Sequence, residues 1–423
     1  MIVARPGDAG WPKLAEWVNG HQDSISAIWP ATRRESLGIL FRPDGHNQDP
    51  LIGTSTAVPA PIEVPMHNAM LDPSFDAVLN LAQLLVADAN LAANRHDDTR
   101  LMDNLRAAVG IARQLQESRC TYASQCALWI RQSMLNVIDD TLTRSPATLS
   151  NNDLQELAHL LAKPDTAADI VQLDALRLVL LDLVQRMYTD GGHGDGRLTP
   201  QGLAAMKFLS TGASSMNDVL NSRAMSPAYM IVGPSRRQTV ARIEKMLEEE
   251  SANLRRPMRQ IDPAFWNPQT AQVRPEPLAY LTRLPLLIMD PRGAFRLSAE
   301  RYLGERDGTL VGLALELYRR HNRGEYPDSL AALAPKYFPS VPQDRVVGGP
   351  IHYRVVDGSP IIYSFGDDQD DDSGIVPATT SRGDWEYPGT ARTIAAFRTT
   401  KQSATDGDWI VFPIPSSQPQ TSR

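Results

Sequence analysis

From Pro73 onward, apolar residues recur at intervals of three and four. Phe75, Val78, Ala82, Leu85 and Ala89 form one stripe, and Leu101, Leu105, Ala108, Ala112 and Leu115 a second. This is the spacing of helices that bury one face. Asn94-Arg95-His96-Asp97-Asp98 interrupts the pattern between them, so the segment predicts an antiparallel helical hairpin, the unit stacked in tetratricopeptide-like (TPR-like) solenoids. A third helix is expected over residues 120–143, around Trp129, Leu135 and Ile138. Asn152-Asp153 reads as the N-cap of a helix through Leu161, and residues 165–188 predict another, carrying Leu176, Val179, Leu180 and Val184. No strict repeat period is present, so the expected architecture is an irregular helical-hairpin bundle.

Residues 189–202 form a glycine-rich break. A helical pattern covers 213–256, and its charged half, 240–256, reads as a solvent-exposed helix. Residues 261–277 are a proline-punctuated linker, followed by a short apolar helix around 281–289. Residues 292–321 then predict one long helix, with Leu303, Leu310, Ala314 and Leu317 on a single face. A short helix holding Leu330 and Leu333 follows, with Asp328 or Ser329 as its N-cap.

After Pro342 the period changes. Ile351-His-Tyr-Arg-Val-Val alternates, Asp357-Gly358 is a hairpin turn signal, and Ile361-Ile-Tyr pairs back. Trp409-Ile-Val-Phe predicts a last strand. The expected fold is therefore mainly α, a helical bundle followed by a small α+β module with a long helix and an antiparallel sheet. The expected divisions are an irregular N-terminal segment (1–72, with short helices near 11–18 and 24–29), a helical domain (73–290), the α+β module (291–415) and a disordered tail (416–423).

Composition narrows the function classes. The 423 residues carry a formal net charge of −7, which argues against nucleic acid, whose binders present a basic surface. Cys120 and Cys126 fall six apart on one predicted helix, about 9 Å along its axis and on different faces. They are beyond disulfide reach, so two buried free thiols are expected. No apolar run approaches the ~18 residues of a membrane span; the best, Leu284 to Met289, is far too short. The first ten residues lack the basic-then-apolar order of a signal peptide. The expectation is therefore either a cytoplasmic protein or one whose leader or membrane anchor lies outside this chain.

The chemistry-bearing segment is Tyr363-Ser-Phe-Gly-Asp-Asp-Gln-Asp-Asp-Asp-Ser-Gly374. Its carboxylates repel one another unless a cation neutralises them, and an oxygen-only ligand set on a loop suits Ca²⁺. Asp190-Gly-Gly-His-Gly-Asp-Gly also resembles the start of an EF-hand. With Gly196 as sixth residue, however, the twelfth is Gly202 where a bidentate glutamate is required, so a glycine-rich interhelical loop is the reading. The histidines, among them His96, His159, His193 and His352, are scattered. The chain has no His-Glu-x-x-His, nucleophile elbow, phosphate loop or dinucleotide fingerprint.

The order of motifs carries a resemblance. A long helix ending Leu317-Tyr318 is followed by Gly324-Glu-Tyr-Pro-Asp-Ser-Leu-Ala-Ala-Leu333, Gly349-Pro-Ile-His-Tyr353 and Tyr363-Ser-Phe-Gly-Asp-Asp. Over residues 308–374 this resembles the globular part of the major pseudopilin of type II secretion. The family's Asp-Pro before the strands stands here as Asp344-Arg345. The resemblance implies a structural Ca²⁺ site with Ser364 and Asp368 at ligand positions and a later ligand among Asp370, Asp371 and Asp372. Residues 73–140 joined to such a module also resemble uncharacterised planctomycete proteins with a helical-hairpin region, a pseudopilin-like tail and an N-terminal membrane anchor.

The expected function is that of a non-enzymatic, extracytoplasmic or membrane-anchored protein. Its helical domain would take a protein partner and Ca²⁺ would clamp its C-terminal module. The alternatives are a subunit of a type II secretion or pilus-like machine, and a hydrolase with its site in the groove of the helical domain.

Overall fold

The computed structural model describes residues 6–36, 73–163, 166–190, 193, 195–202, 233–257, 260, 294–365, 370–374 and 408–413. The predicted helix at 281–289, the first part of the 213–256 pattern, the terminal tail and Asp368 lie outside them. The described chain is mainly helical, with one three-stranded antiparallel sheet near its C-terminal end.

Three short helices, α1 (Trp11–Gly20), α2 (Gln22–Ser26) and α3 (Trp29–Thr32), open the chain. The predicted hairpin is formed by α4 (Pro73–Asn94) and α5 (Asp98–Glu117). Phe75, Leu79, Ala82, Leu85, Val86 and Ala89 are buried along α4, as are the five stripe residues of α5. The polar break supplies the cap, because the Asp97 carboxylate accepts the Arg100 backbone N–H at 3.0 Å. Helix α6 (Thr121–Arg144) packs back on both. Cys120 and Cys126 are buried free thiols, as expected.

Contrary to the expectation about apolar runs, the 20-residue stretch Phe75–Asn94 of α4 is long and apolar enough to cross a membrane. Asn80, Gln83, Asp88 and Asn90 break it into short apolar pieces. In the fold it is the central helix, packed on α1, α5 and α6.

Buried polar groups on α4 and α5 fasten the N-terminal helices. Asp88, fully buried, accepts Arg100 Nε at 3.1 Å and Asn104 Nδ2 at 2.7 Å. Arg100 also donates to Ser26 Oγ and the Gln22 carbonyl, and its guanidinium lies over the Trp29 ring. Trp29 Nε1 closes the network on Asn104 Oδ1 at 3.0 Å. A Lys at 100 keeps the charge and loses the planar fork. Arg100→Lys is therefore expected to cost about 1–2 kcal/mol, read as a lower urea midpoint and faster amide exchange in α2 and α3.

Helix α7 (Asn151–Leu161) begins one residue earlier than its predicted cap. Ser150 is the N-cap, in a capping box with Asp153 at the third position. The single helix predicted over 165–188 is two, α8 (Ala167–Ile170) and α9 (Asp174–Met187). Val171 is extended (φ −91°, ψ 105°) and ends the first of them. The glycine-rich break closes on itself, with Tyr188 bridging Leu198 and the Thr189 N–H donating to the Arg197 carbonyl. Helix α10 (Arg236–Leu254) covers the segment expected to be solvent-exposed and is amphipathic. Thr239, Ile243, Leu247, Glu250 and Leu254 form a buried stripe, and charges occupy the other face.

The C-terminal unit is built on α11 (Ala294–His321). After a 3₁₀ turn at Leu330–Leu333 come β1 (His352–Val356) and β2 (Ser359–Ser364), paired from His352↔Tyr363 to Val356↔Ser359. Asp357 (φ 50°) and Gly358 (φ 76°) form the turn, the positive-φ pair that matches strand twist. Strand β3 (Trp409–Phe412) adds antiparallel to β2, giving the order β1-β2-β3.

Helix α11 is shared by both layers. Residues Gly304, Gly308 and Gly312 face β3, where added methyls would meet Trp409, the Val411 carbonyl oxygen and Phe412, each at 2.5 Å. Its remaining surface packs on α6 and α7. There Thr309 Oγ1 donates to Asp139 Oδ1 at 2.8 Å, and Gln132 donates to Glu305. Arg320 reaches the carbonyls of Pro146 and Leu149.

Candidate functional site

Strand β2 carries Tyr363 and Ser364 to the edge of the acidic loop. Ser364 is buried there, and its hydroxyl donates to Asp344 Oδ1 at 2.9 Å. Asp344 is itself fully buried. Its carboxylate also accepts the backbone N–H groups of Val346 (2.8 Å), Val347 (3.1 Å) and Phe365 (3.3 Å). One aspartate thus folds the 344–349 turn and ties it to the end of β2. The Asp344-Arg-Val-Val-Gly-Gly run, an aspartate two and three residues before amides it can accept, was its sequence signal.

Of the five residues expected around a cation, Ser364 is committed to Asp344, Asp370 is exposed, and Asp371 and Asp372 lie in the loop. Asp371 Oδ1 accepts from the Tyr363 hydroxyl at 3.1 Å and from the Ser373 N–H at 2.8 Å. Asp368 falls outside the described residues.

A carboxylate not anticipated from the sequence joins this pair. Asp408, immediately before β3, is fully buried, and its Oδ2 accepts the Gly374 N–H at 2.6 Å. Its Oδ1 is buried and makes no hydrogen bond of good geometry, although the Asp372 backbone N–H, like that of Gly374, lies close enough to the carboxylate to favour its charged form. Burial first, and then the charges of Asp371 and Asp372, push the Asp408 carboxyl up to about 6. Burial and the nearby Asp371 likewise push the Tyr363 phenol up to about 12. The donor set is all oxygen, and one buried oxygen lacks a partner, which fits a hard cation. Among the described residues, no three His, Cys, Asp or Glu side chains close around a single metal position.

The second feature is a cavity of about 660 Å³ bounded by α7, α8, α10, α11 and residues 337–345. Four charged groups lie together along its wall. Arg345 is 2.9 Å from Glu300 and 3.6 Å from Asp307, and Arg306 is 2.5 Å from Asp307. Three of these residues belong to α11 and one to the turn that Asp344 folds, so the helix repeat alone could not reveal the cluster. Comparison with protein-family models, curated proteins and solved structures gives no match for this chain.

Proposed function

We propose that this chain is a non-enzymatic, extracytoplasmic binding or scaffold protein. A TPR-like helical domain takes a protein partner, and Ca²⁺ closes a pseudopilin-like C-terminal unit. The observation that carries the reading is Asp408, a buried carboxylate with an unbonded oxygen beside Asp371 and Asp372. The long helix under a three-stranded meander, with motifs in the pseudopilin order, supports the family likeness, and the localisation rests on that likeness. On binding, the loop would have to draw Asp371 and Asp372 together with Asp408 around the ion, with Asp370 and Asp368 as further loop carboxylates. Ca²⁺ would neutralise the repulsion and pin the loop to the start of β3.

Two alternatives carry less weight. Fibre assembly as a machine subunit would need a free face on α11, whereas α6 and α7 cover it on one side and β3 on the other. A hydrolase site in the cavity would need mobile acid and base groups, whereas Glu300 and Asp307 are each ion-paired with arginine.

The test follows from the Asp408 titration. Its folded pKa, about 6, lies above the ordinary 3.8. Its contribution to stability is therefore complete below the unfolded pKa and is lost as pH rises through 6. Without Ca²⁺ the C-terminal unit is expected to lose on the order of 2 kcal/mol between pH 4 and pH 7 from this group. Saturating Ca²⁺ should restore it, raising the melting temperature by about 4 °C or more at pH 7.5 and by far less at pH 4.5. Asp408→Asn should abolish the Ca²⁺ response and make chelator-treated protein less sensitive to pH. Absence of any Ca²⁺-induced shift at pH 7.5 in the native sequence would sink the proposal.

A further inference from the structure

The cavity between the helical domain and the C-terminal unit has the size of a small-molecule site, ~300–1,000 Å³. Its walls divide by chemistry. Ala158, Ala162, Leu254, Leu310, Leu317 and Phe338 make an apolar side. Glu300, Arg345, Asp307 and Arg306 are charges that satisfy one another. The Asp344 carboxylate at the same wall is occupied by its four hydrogen bonds.

Positive charge remains in the lining. Arg255 and Arg256 follow the last turn of α10, line the cavity and are exposed. Arg256 Nη1 donates to Asn253 Oδ1 at 3.5 Å. Among the described residues no carboxylate lies within ion-pair distance of either guanidinium. Part of this charge complements the C-terminal end of the α10 dipole. The planar donor forks still face a cavity with an apolar wall, the geometry that takes a carboxylate or phosphate in bidentate fashion.

We infer that this cavity binds a small amphiphilic anion, its charged head held by Arg255 and Arg256 and its apolar body laid along Ala158, Ala162, Leu310 and Phe338. The two arginines give the site its sign, and the apolar wall gives it a preference for chain or ring over bare ion. The inference goes beyond the proposed function and needs no calcium at the acidic loop.

Isothermal titration calorimetry on the full chain in EDTA, with octanoate and octan-1-ol as probes, separates head from body. Octanoate is expected to bind at one site, about tenfold or more tighter than octanol. The double substitution Arg255→Gln with Arg256→Gln, at exposed positions that the fold tolerates, should weaken octanoate by about 10- to 100-fold and leave octanol unchanged. Ala158→Phe, which fills the apolar side, should weaken both. Equal affinity for the two probes, octanoate binding indifferent to the arginine substitutions, or no octanoate binding would overturn the inference. So would an end-blocked acidic hexapeptide that binds while octanoate does not, because the site would then be a protein-docking groove.

Discussion

Replacing Asp344 by Ala is expected to unfold the C-terminal unit while α4, α5 and α6 remain folded. The side chain is fully buried and accepts from Val346 N, Val347 N, Phe365 N and Ser364 Oγ. Alanine leaves three backbone donors and one hydroxyl without their acceptor in a place that water does not easily reach. Each orphaned donor costs about 1–3 kcal/mol, so four of them cost roughly 4 kcal/mol at the least, comparable to the whole stability of a small domain. Trp409 on β3 reports the event by its fluorescence, and amide exchange locates it in β1, β2 and residues 344–349. Asp344→Asn keeps one acceptor oxygen and should lose about half as much. An Ala variant within about 1 kcal/mol of the parent would show that the network is dispensable.

Gly308→Val should separate β3 from α11. A methyl added at Gly308 would lie 2.5 Å from the Val411 carbonyl oxygen and 2.8 Å from its carbon. Backbone in a paired strand cannot swing aside as a long side chain can. Alanine gains about 1 kcal/mol of helix propensity over glycine, but overpacking against backbone costs about 1–3 kcal/mol or more. Gly308→Ala is therefore expected to be net destabilising by about 1–2 kcal/mol, and Gly308→Val, bulkier and β-branched, by about 3–4 kcal/mol. Chemical denaturation followed at Trp409 measures both, and a stabilised Gly308→Ala would refute the close-contact reading. The same spacing at Gly304 and Gly312, against Trp409 and Phe412, predicts that bulky substitutions at all three positions act on one seam.

Strong local periodicity accounts for the elements that were legible. The stripes of α4 and α5, the long helix α11, the Asp357-Gly358 turn and strand β3 follow from 3.6- and 2-residue repeats and from turn chemistry. Boundaries erred where one local interaction decided them. Ser150, in a capping box with Asp153, is the cap two residues ahead of the expected Asn152, and extended Val171 divides a pattern that reads as continuous. The charge of α10 concealed a buried stripe because one apolar or small residue per turn suffices to seat a helix.

The sequence by itself determined that the protein is mainly helical, ends in a small antiparallel sheet, and concentrates negative charge after Tyr363-Ser-Phe-Gly. Each of those properties is written in neighbours along the chain. Only the tertiary structure decided that Asp408 joins Asp371 and Asp372, far from them along the chain. It also decided that Asp344 rather than the acidic loop engages Ser364, and that three glycines of α11 are a seat for β3. Arg255 and Arg256 meet an apolar wall built by other helices for the same reason. Electrostatics and packing act across space within a few ångströms, whatever the separation in sequence, and periodicity carries no record of which distant residues will share that space.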